Sequence, residues 1–389
     1  MEKKENQPVR VLQVLGGTSL GGAESRVMDL YRSIDRTRVQ FDFAVHTARK
    51  GFFDDEIRAL GGEIYSFPRF RGYNWIAYRK AWRRFFEEHP EYVCVHGHMT
   101  STASLYLAEA GRAGIGCTAA HARSAGTDSG IKGWMTRVLR KNLAGRAEVC
   151  LACSELAGRA VFGEKAWRDG LVHVVPNAIE VAKYVYDPEK RERLRCELGI
   201  SDRFVIGHVG RFNPVKNHPF LLDVFYEIKK QREDAVLLLV GEGGGMEAAK
   251  EKAAALGLEK SVLFAGSRPD AADFYQAMDF MVFPSLYEGL PGTILEAQAA
   301  GLPCLMSDTI TREVMLTGLV EAMSLERPAE EWAGRVIAAA QENAGGRRSY
   351  LEELRAAGFD VKKQARQWEI FYKTGEGAGL WKENREKTD

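Results

Sequence analysis

The chain has 389 residues, which at roughly 150 residues per domain favours two domains that each bury a core of their own. Hydrophobic residues make up 45% and charged residues 28%, and 54 Lys and Arg against 53 Asp and Glu leave a formal net charge of +1. These values exclude a disordered or fibrous chain and a bulk basic field for nucleic acid, so we expect no nucleic-acid partner.

The N-terminal segment, MEKKENQPVRVLQVLGG, is charged where a signal peptide is apolar, and no stretch reaches the roughly 18 apolar residues of a membrane span. We therefore expect a soluble, cytoplasmic protein. The six cysteines are scattered. Cys150 and Cys153 form a Cys-x-x-Cys, but residues three apart in a strand point to opposite faces, so buried thiols are favoured over a redox or zinc site.

Strand-like runs alternate with helix-like runs along the whole chain, a pattern typical of parallel sheets with crossover helices. The predicted strands of the first half are Val9–Leu15, Phe41–His46, Glu63–Phe67, Tyr92–His96, Cys117–His121, Glu148–Ala152 and Leu171–Val175. After a charge-dense segment containing two prolines, those of the second half are Phe204–Val209, Ala235–Val240, Ser261–Ala265, Asp279–Pro284 and Pro303–Ser307.

This alternation predicts an α/β protein built from two doubly wound parallel-sheet domains. We expect the first domain over residues 1–178, a linker over 179–202 and the second domain over 203–362. The remaining segment, 363–389, is expected to pack back on the N-terminal domain as a helix or tail. In parallel sheets ligands bind beyond the carboxyl ends of the strands, so the loops after the strands are the candidates for chemistry.

The first such loop, GGTSLGGAE, carries Gly21 and Gly22 just before a helix whose first turn contains Glu24. Bare backbone at a helix N-terminus can approach a phosphate or a sugar. The run is not G-x-G-x-x-G, because Ser19 stands at the second glycine position counted from Gly17, and no Walker lysine follows. A tight strand-to-helix turn is the structural alternative.

Two further stretches of the first half combine aromatic and basic residues at helical spacing. One surrounds Trp82, and the other, residues 131–146, surrounds Trp134 and contains no acidic residue. Such faces suit an anionic membrane surface. They equally suit helices that cover a sheet and turn a solvated face outward.

The second half opens with a strand that runs into GRFNPVKN, which contains Arg211 and Lys216. Two cations beside a buried strand are costly to desolvate unless an anion compensates them, and a diphosphate would do so. A solvated basic loop is the alternative.

The segment PSLYEGLPGTILEAQAAGLP is the most informative one. Pro284 closes a strand, and a loop of glycine and proline leads into a predicted helix over Thr293–Ala300 that Gly301 ends. The start of that helix offers free amides to an anion. Glu288 in the loop and Glu296 in the helix bracket these amides, which suits a phosphate flanked by two sugars whose hydroxyls donate to carboxylates. Two surface carboxylates are the alternative.

The spacing of Glu288 and Glu296 resembles the donor-site signature of the retaining glycosyltransferases of family four, which have the GT-B fold. GGAE, GRFNPVKN, VVPNAIE, LLLVGEG and VLFAGSRPD are similar to other family segments, over about residues 9–370. The run HARSAGTDSGIKGWMTRVLR most resembles capsule and exopolysaccharide enzymes. The resemblance implies two Rossmann-like domains facing a cleft, with an acceptor-side domain first and a nucleotide-sugar donor domain second.

The resemblance also implies a role for individual residues. Arg211 and Lys216 would neutralise the donor diphosphate, Glu296 would bind the ribose, and Glu288 would bind a hydroxyl of the donor sugar. His121 matches the family's histidine beside the donor sugar, although a satisfied core histidine is the alternative. The implied catalytic set is His121, Arg211, Lys216 and Glu288, and the implied donor-binding set is Gly21, Gly22, Arg211, Lys216, Glu288, Gly289, Leu290, Pro291, Gly292, Thr293 and Glu296.

We therefore expect a retaining hexosyltransferase that moves a sugar from a UDP-sugar to a lipid-linked or saccharide acceptor in surface polysaccharide biosynthesis. No Asp-x-Asp triplet is present to hold a metal–diphosphate complex, so neither a metal nor another cofactor is expected. The enzyme would be cytoplasmic or peripheral on the inner membrane face. The alternatives are a non-catalytic two-domain sugar- or nucleotide-binding protein and a nicotinamide-dependent dehydrogenase, which the missing G-x-G-x-x-G weakens.

Overall fold

The computed structural model describes residues 7–126, 130–343 and 346–375, without the side chains of residues 131 and 132. The described chain forms two units, each with its own parallel sheet. The first unit contains the residues up to Ala178 together with those from Val361 onward, and the second contains Ile179–Asp360.

The first unit is a seven-stranded parallel sheet in the order β3-β2-β1-β4-β5-β6-β7. All seven residues of the second strand are buried, because helices cover both faces of the sheet. The strands are β1 (Val9–Leu15), β2 (Val39–Val45), β3 (Ile64–Ser66), β4 (Tyr92–Gly97), β5 (Cys117–Ala122), β6 (Val149–Ala152) and β7 (Val172–Val174). The helices are α1 (Gly22–Ser33), α2 (Asp54–Ala59), α3 (Trp75–Glu88), α4 (Ala103–Arg112), α5 (Gly130–Arg140), α6 (Glu155–Phe162) and α7 (Glu164–Arg168).

The second unit is a six-stranded parallel sheet in the order β10-β9-β8-β11-β12-β13. Its strands are β8 (Phe204–Val209), β9 (Ala235–Val240), β10 (Val262–Gly266), β11 (Phe280–Phe283), β12 (Cys304–Ser307) and β13 (Val320–Met323). Its helices are α8 (Pro188–Glu197), α9 (His218–Gln231), α10 (Met246–Ala255), α11 (Ala271–Ala277), α12 (Gly292–Ala299), α13 (Ala329–Glu342) and α14 (Leu351–Ala356).

The final helix of the described chain, α15 (Val361–Thr374), packs on α1, β1, β2 and β4 of the first unit. Its residues Trp368, Phe371 and Tyr372 are buried in that unit's core. Glu369 accepts hydrogen bonds from the Asp35 amide at 3.0 Å and from Arg38 Nη1 at 2.9 Å, which holds the helix in register. The last 14 residues of the predicted tail, 376–389, lie outside the described residues.

The α/β fold with two doubly wound sheets is confirmed, and each sequence-predicted strand is present with small shifts at its ends. Two features differ from the prediction. Strand β13 was not predicted, because it is four residues long and carries a charged residue, Glu321. The segment predicted as a linker, 179–202, contains α8, whose Arg191 and Arg195 pair with Asp279, so it groups with the second unit.

Candidate functional site

The second sheet reverses its chain order between the neighbouring strands β8 and β11. Parallel strands end at the same edge, so the loops after β8 and β11 lie side by side there. Loops that leave such a point in opposite directions open a crevice, which is where ligands bind in doubly wound folds. These two loops carry Arg211 and Lys216, and Glu288 and Gly289, respectively.

The loop after β8 is held by its neighbours in one conformation. The Phe212 amide donates to the Glu242 carbonyl at 3.0 Å, and the Phe212 ring stacks on His218 with centroids 4.0 Å apart. Gly241 and Gly243 have positive φ, and a Cβ at either would collide with the backbone of residues 210 and 212. The glycines thus permit the close approach that fixes this loop, in which Arg211 is exposed and Lys216 is partly buried.

Lys216 and Glu288 form an ion pair that joins the two loops. Lys216 Nζ lies 2.7 Å from Glu288 Oε1 and 4.2 Å from the centroid of the Phe283 ring. Their side chains are 13% and 20% exposed, so water screens the pair only in part. The Leu286 amide donates to the Val215 carbonyl at 2.8 Å and fixes the same approach. The two residues predicted to contact diphosphate and sugar therefore neutralise each other in the free protein.

The helix after this loop, α12, begins at Gly292, one residue before the predicted start. Its N-cap residue, Pro291, supplies no side-chain hydrogen bond among the described atoms, and the Ile294 amide donates to the Pro291 carbonyl at 3.2 Å, which leaves the Gly292 and Thr293 amides for an anion. Glu296 is 8% exposed and accepts a hydrogen bond from Tyr275 Oη at 2.7 Å. Tyr275, which sequence reasoning missed, orients this carboxylate.

The structure thus places most of the predicted donor-binding residues within the second unit: Arg211, Lys216, Glu288, Gly289, Leu290, Pro291, Gly292, Thr293 and Glu296. The other predicted site residues, Gly21, Gly22 and His121, belong to the first unit. Gly21 is the N-cap of α1, and a Cβ there would collide with the Glu24 carboxylate. Gly22 has open space around its Cα.

His121 lies at the end of β5 and is fully buried. Its Nδ1 is 3.1 Å from Nε2 of His96 on β4, and its ring centroid is 5.6 Å from that of His98. Burial lowers the pKa of all three histidines well below the usual value, so each ring is neutral and carries one proton. The run VHGH at the end of β4 was the available signal for His96 and His98, because alternate residues of a strand share a face.

The three histidines place potential metal-ligand atoms within 4.8 Å of one another. However, both ring nitrogens of His96 and His98 and Nδ1 of His121 already have hydrogen-bond partners. One partner is the Arg123 guanidinium, whose charge repels a cation. The cluster is therefore a hydrogen-bonded network rather than a set of open ligands.

A cavity of about 940 Å³ lies entirely within the first unit. Three exposed arginines line it, Arg49, Arg69 and Arg71, and none of them has an ion-pair partner among the described residues. Its apolar lining includes Phe70 and Leu139. Met135 and Leu139 of its lining belong to the basic aromatic segment 131–146 singled out in the sequence, whereas Arg49 and Arg69 come from loops that carry no motif.

The two basic aromatic helices present different residues than expected. Trp82 is fully buried, stacked on Phe67 with centroids 3.7 Å apart, so it cannot contact a membrane. The exposed apolar side chains of these segments are Tyr73 at 83%, Ile76 at 79% and Trp134 at 62%, with Trp75 and Val138 less exposed. Within the described ranges, no helix combines the length and apolarity needed to cross a bilayer.

Comparison with known proteins places this geometry among sugar-transferring enzymes. Residues 20–183 match the family described as Glycosyltransferase Family 4, and residues 203–342 match Glycosyl transferases group 1. The putative glycosyltransferase EpsF of Bacillus subtilis is 34% identical over 360 residues, which covers 91% of this chain and 94% of EpsF.

A second relative is the UDP-Gal:alpha-D-GlcNAc-diphosphoundecaprenol alpha-1,3-galactosyltransferase of Escherichia coli. It is 30% identical over 226 residues, covering 56% of this chain and 58% of that protein. Among solved structures, Anabaena HepE in complex with UDP-glucose has a TM-score of 0.75 at 20% identity, covering 92% of this chain and 98% of HepE.

Proposed function

Because the chain belongs to the family-four glycosyltransferases and has their GT-B fold, we propose that it moves a sugar from a UDP-sugar to a lipid-linked saccharide, with retention of configuration. The product would serve surface polysaccharide biosynthesis. The observation that carries the donor half is the array of Lys216, Glu288, the α12 amides and Glu296 at the switch point of the second sheet. The relatives EpsF and HepE with UDP-glucose support it.

We assign the diphosphate to Arg211, Lys216 and the first amides of α12. Departure of UDP develops negative charge on the leaving phosphate oxygen, and cations and amides fixed in advance stabilise that charge without rearranging. Arg211 is exposed and can therefore reach a ligand. Lys216 must either replace its ion pair with Glu288 by one with the phosphate, or contact both groups at once. Each charge-assisted hydrogen bond contributes about 1.5–3 kcal/mol.

The two glutamates take different parts of the donor in this proposal. Glu296, held by Tyr275, accepts from the ribose hydroxyls, and Glu288 accepts from a hydroxyl of the transferred sugar. His121 of the first unit serves the donor sugar, and Gly21 and Gly22 leave backbone accessible at the N-terminus of α1. Arg211 and Lys216, together with the first amides of α12, would make a divalent metal unnecessary.

In the reaction the acceptor hydroxyl oxygen bonds to the anomeric carbon as the bond to the UDP oxygen breaks. The acceptor's proton passes to the departing phosphate oxygen, so atoms and charge balance without a protein nucleophile. Attack on the face from which UDP leaves retains the anomeric configuration.

We place the acceptor in the cavity of the first unit. Arg49, Arg69 and Arg71 supply positive charge without neighbouring carboxylates, which suits a diphosphate. Phe70, Met135 and Leu139 add apolar surface, which suits the start of an isoprenoid chain. The relative from Escherichia coli is named for an acceptor of this chemistry, a sugar on diphosphoundecaprenol.

A lipid-linked acceptor implies contact with a membrane surface, and we propose that α5 and the start of α3 make it. Tyr73, Ile76 and Trp134 are exposed there, next to a set of basic side chains: Arg71, Arg79, Lys80, Arg83, Arg84, Arg137 and Lys141. The same segments line the acceptor cavity through Arg71 and Met135. Apolar side chains flanked by cations bind anionic lipid head groups.

Thermal shift with a panel of nucleoside diphosphates and UDP-sugars tests the donor assignment. A ligand at 100 times its dissociation constant stabilises the folded protein by about 2.7 kcal/mol, so UDP should raise the Tm while ADP and GDP should not. No shift with UDP at millimolar concentration would contradict the assignment. UDP release over time then separates an enzyme from a protein that only binds the nucleotide sugar.

A further inference from the structure

His121 Nε2 is the only one of the six ring nitrogens in the His96, His98 and His121 cluster without a side-chain hydrogen-bond partner among the described residues. A buried ring nitrogen is costly to leave unpaired, so the kind of partner it can take matters. Whether that partner must offer a donor or an acceptor depends on which His121 nitrogen carries the proton. The neighbouring hydrogen bonds determine this.

The chain of hydrogen bonds begins at Arg123, which can only donate. Burial lowers the pKa of Arg123 to about 10, so it stays charged at neutral pH. Its Nε donates to His98 Nδ1 at 3.2 Å, so the single proton of neutral His98 is on Nε2. His98 Nε2 then donates to Gln13 Oε1 at 2.8 Å, which fixes the orientation of the Gln13 amide.

The series of hydrogen bonds continues from Gln13 to Tyr372 on the last helix, α15. Gln13 Nε2 donates to Tyr372 Oη at 3.3 Å. The Tyr372 hydroxyl hydrogen has one acceptor among the described residues, His96 Nδ1 at 2.7 Å. His96 therefore holds its proton on Nε2 and donates it to His121 Nδ1 at 3.1 Å. His121 must then carry its own proton on Nε2.

We propose that Tyr372 and Gln13 are positioning residues that fix His121 as the Nε2–H tautomer. His121 Nε2 is then a hydrogen-bond donor, and the group it can bind is an oxygen lone pair, such as that of a hydroxyl or ring oxygen of the transferred sugar. This last step rests on the proposed function, whereas the tautomer follows from the free protein alone. The helix α15 thus contributes to the site through Tyr372, which lies far along the chain from His96 and His121.

Histidine ¹⁵N NMR of the free protein tests the proposal, because protonated and unprotonated ring nitrogens resonate in separate ranges. Loss of one spin system in His121→Asn assigns the signal among the eight histidines. In the unsubstituted protein His121 should be the Nε2–H tautomer. In Tyr372→Phe, which removes the link between Gln13 and His96, it should become a mixture of both tautomers.

Gln13→Glu is the sharper variant, because an ionised carboxylate of nearly the same shape has no hydrogen to donate. Tyr372 would then donate to Glu at position 13 and accept from His96 Nδ1, so each later step reverses and His121 becomes the Nδ1–H tautomer. Tyr31→Phe is the control. It removes a buried phenol of the same unit that is hydrogen-bonded to Leu60 and Gln40 and takes no part in the hydrogen bonds from Arg123 to His121, so it should leave the His121 tautomer unchanged.

An Nδ1–H His121 in the unsubstituted protein, or an unchanged tautomer in both Tyr372→Phe and Gln13→Glu, would overturn the proposal. Because the spectra need no substrate, failure of the glycosyltransferase assignment would leave this result standing. Once a donor is known, Tyr372→Phe should lower kcat/KM by roughly 2- to 12-fold, the scale of one neutral hydrogen bond.

Discussion

Individual residues of the donor array differ in what holds them, and this separates their roles. Glu296 is held by Tyr275 at 2.7 Å, whereas Glu288 is held by Lys216, which is itself a proposed ligand of the phosphate. The sequence motif predicted both carboxylates because they lie on one local segment. The ion pair and the Tyr275 contact could not be predicted, since their partners come from other loops and helices.

Nucleotide binding should therefore respond to the two glutamates differently. Glu296→Gln keeps an oxygen for Tyr275 but loses the charge offered to the ribose, so UDP affinity should fall by about 1.5–3 kcal/mol, the scale of a charged hydrogen bond. Glu288→Gln should not weaken UDP binding, because UDP lacks the transferred sugar and Lys216 no longer has to exchange a carboxylate for the phosphate. Titration calorimetry on both folded variants measures this, and equal losses would show that the assigned roles are wrong.

The histidine network shows the limit of sequence reasoning at this scale. His121 was predicted from a family resemblance, but its buried partners were not. Gln13, His96 and Tyr372 lie on β1, β4 and α15, and only the folded sheet brings them into one network. A local sequence pattern cannot predict this network, because each of these residues taken alone is only an ordinary member of a strand or helix.

Among the elements, helices α3 and α4 are joined by a buried acid. The Glu109 side chain is fully buried and pairs with Arg79, Arg83 and Arg112 at 2.5, 3.2 and 2.6 Å. Burial by itself would raise the pKa of Glu109, but hydrogen bonds from Arg79 and Arg83 outweigh it and hold the pKa below the usual 4.5. The basic face of α3 that suggested a membrane contact thus also serves the core of the unit.

Glu109→Gln should lower the free energy of unfolding by about 1–3 kcal/mol at pH 7, the scale of a buried charged hydrogen bond. A lowered pKa stabilises the fold above the unfolded pKa, and this contribution disappears as pH falls through the folded value. The difference from the unsubstituted protein should therefore shrink below about pH 4.5 in urea unfolding. Glu88→Gln, which breaks the exposed pair with Arg84, is the control and should cost under about 0.5 kcal/mol. A constant difference across pH would contradict this role.

The exposed end of α5 should bind anionic vesicles at low salt. Trp134→Ser removes a side chain that is 62% exposed and should weaken binding to phosphatidylglycerol vesicles, measured by sedimentation, by at least roughly 10-fold, because burying such a residue gains about 1.5–3 kcal/mol. Leu171→Ser, at a site that is 51% exposed and lies outside α5, is the matched control. Binding by the unsubstituted protein should weaken as salt rises. Full recovery of that protein in the supernatant at low salt would exclude the membrane proposal.

Element positions were predictable where hydrophobic runs were long. Strands such as β1 and β9 are continuous buried runs between turn residues, and the sequence placed them within a residue or two. Strand β13 escaped notice because its four residues alternate little and only Val320 is buried. The individual contacts of α15 could not be predicted from a local pattern, because they depend on how Trp368 and Tyr372 pack in the core and on the hydrogen bonds that Glu369 accepts.

For the whole molecule, the two units divide the work that the proposal assigns. The second unit contains the donor array at the switch point of its sheet, and the first contains the three-arginine cavity and the histidine network. The fold and family could be predicted from the sequence because alternation and motif spacing are global signals. The cavity proposed for the acceptor could be predicted only in part, because Met135 and Leu139 belong to a basic aromatic segment of the sequence whereas Arg49 and Arg69 come from loops without a motif.

The most direct test of sugar transfer is UDP release measured with UDP-galactose or UDP-glucose and GlcNAc-diphosphoundecaprenol, with EDTA present throughout. We predict release that requires the lipid acceptor, equals the rate without EDTA and falls at least about 10-fold in Glu296→Gln, the effect of losing about 1.4 kcal/mol or more of transition-state binding. Release that stops with EDTA and returns with manganese would contradict the metal-free mechanism. A rate unchanged by Glu296→Gln would contradict the donor site itself.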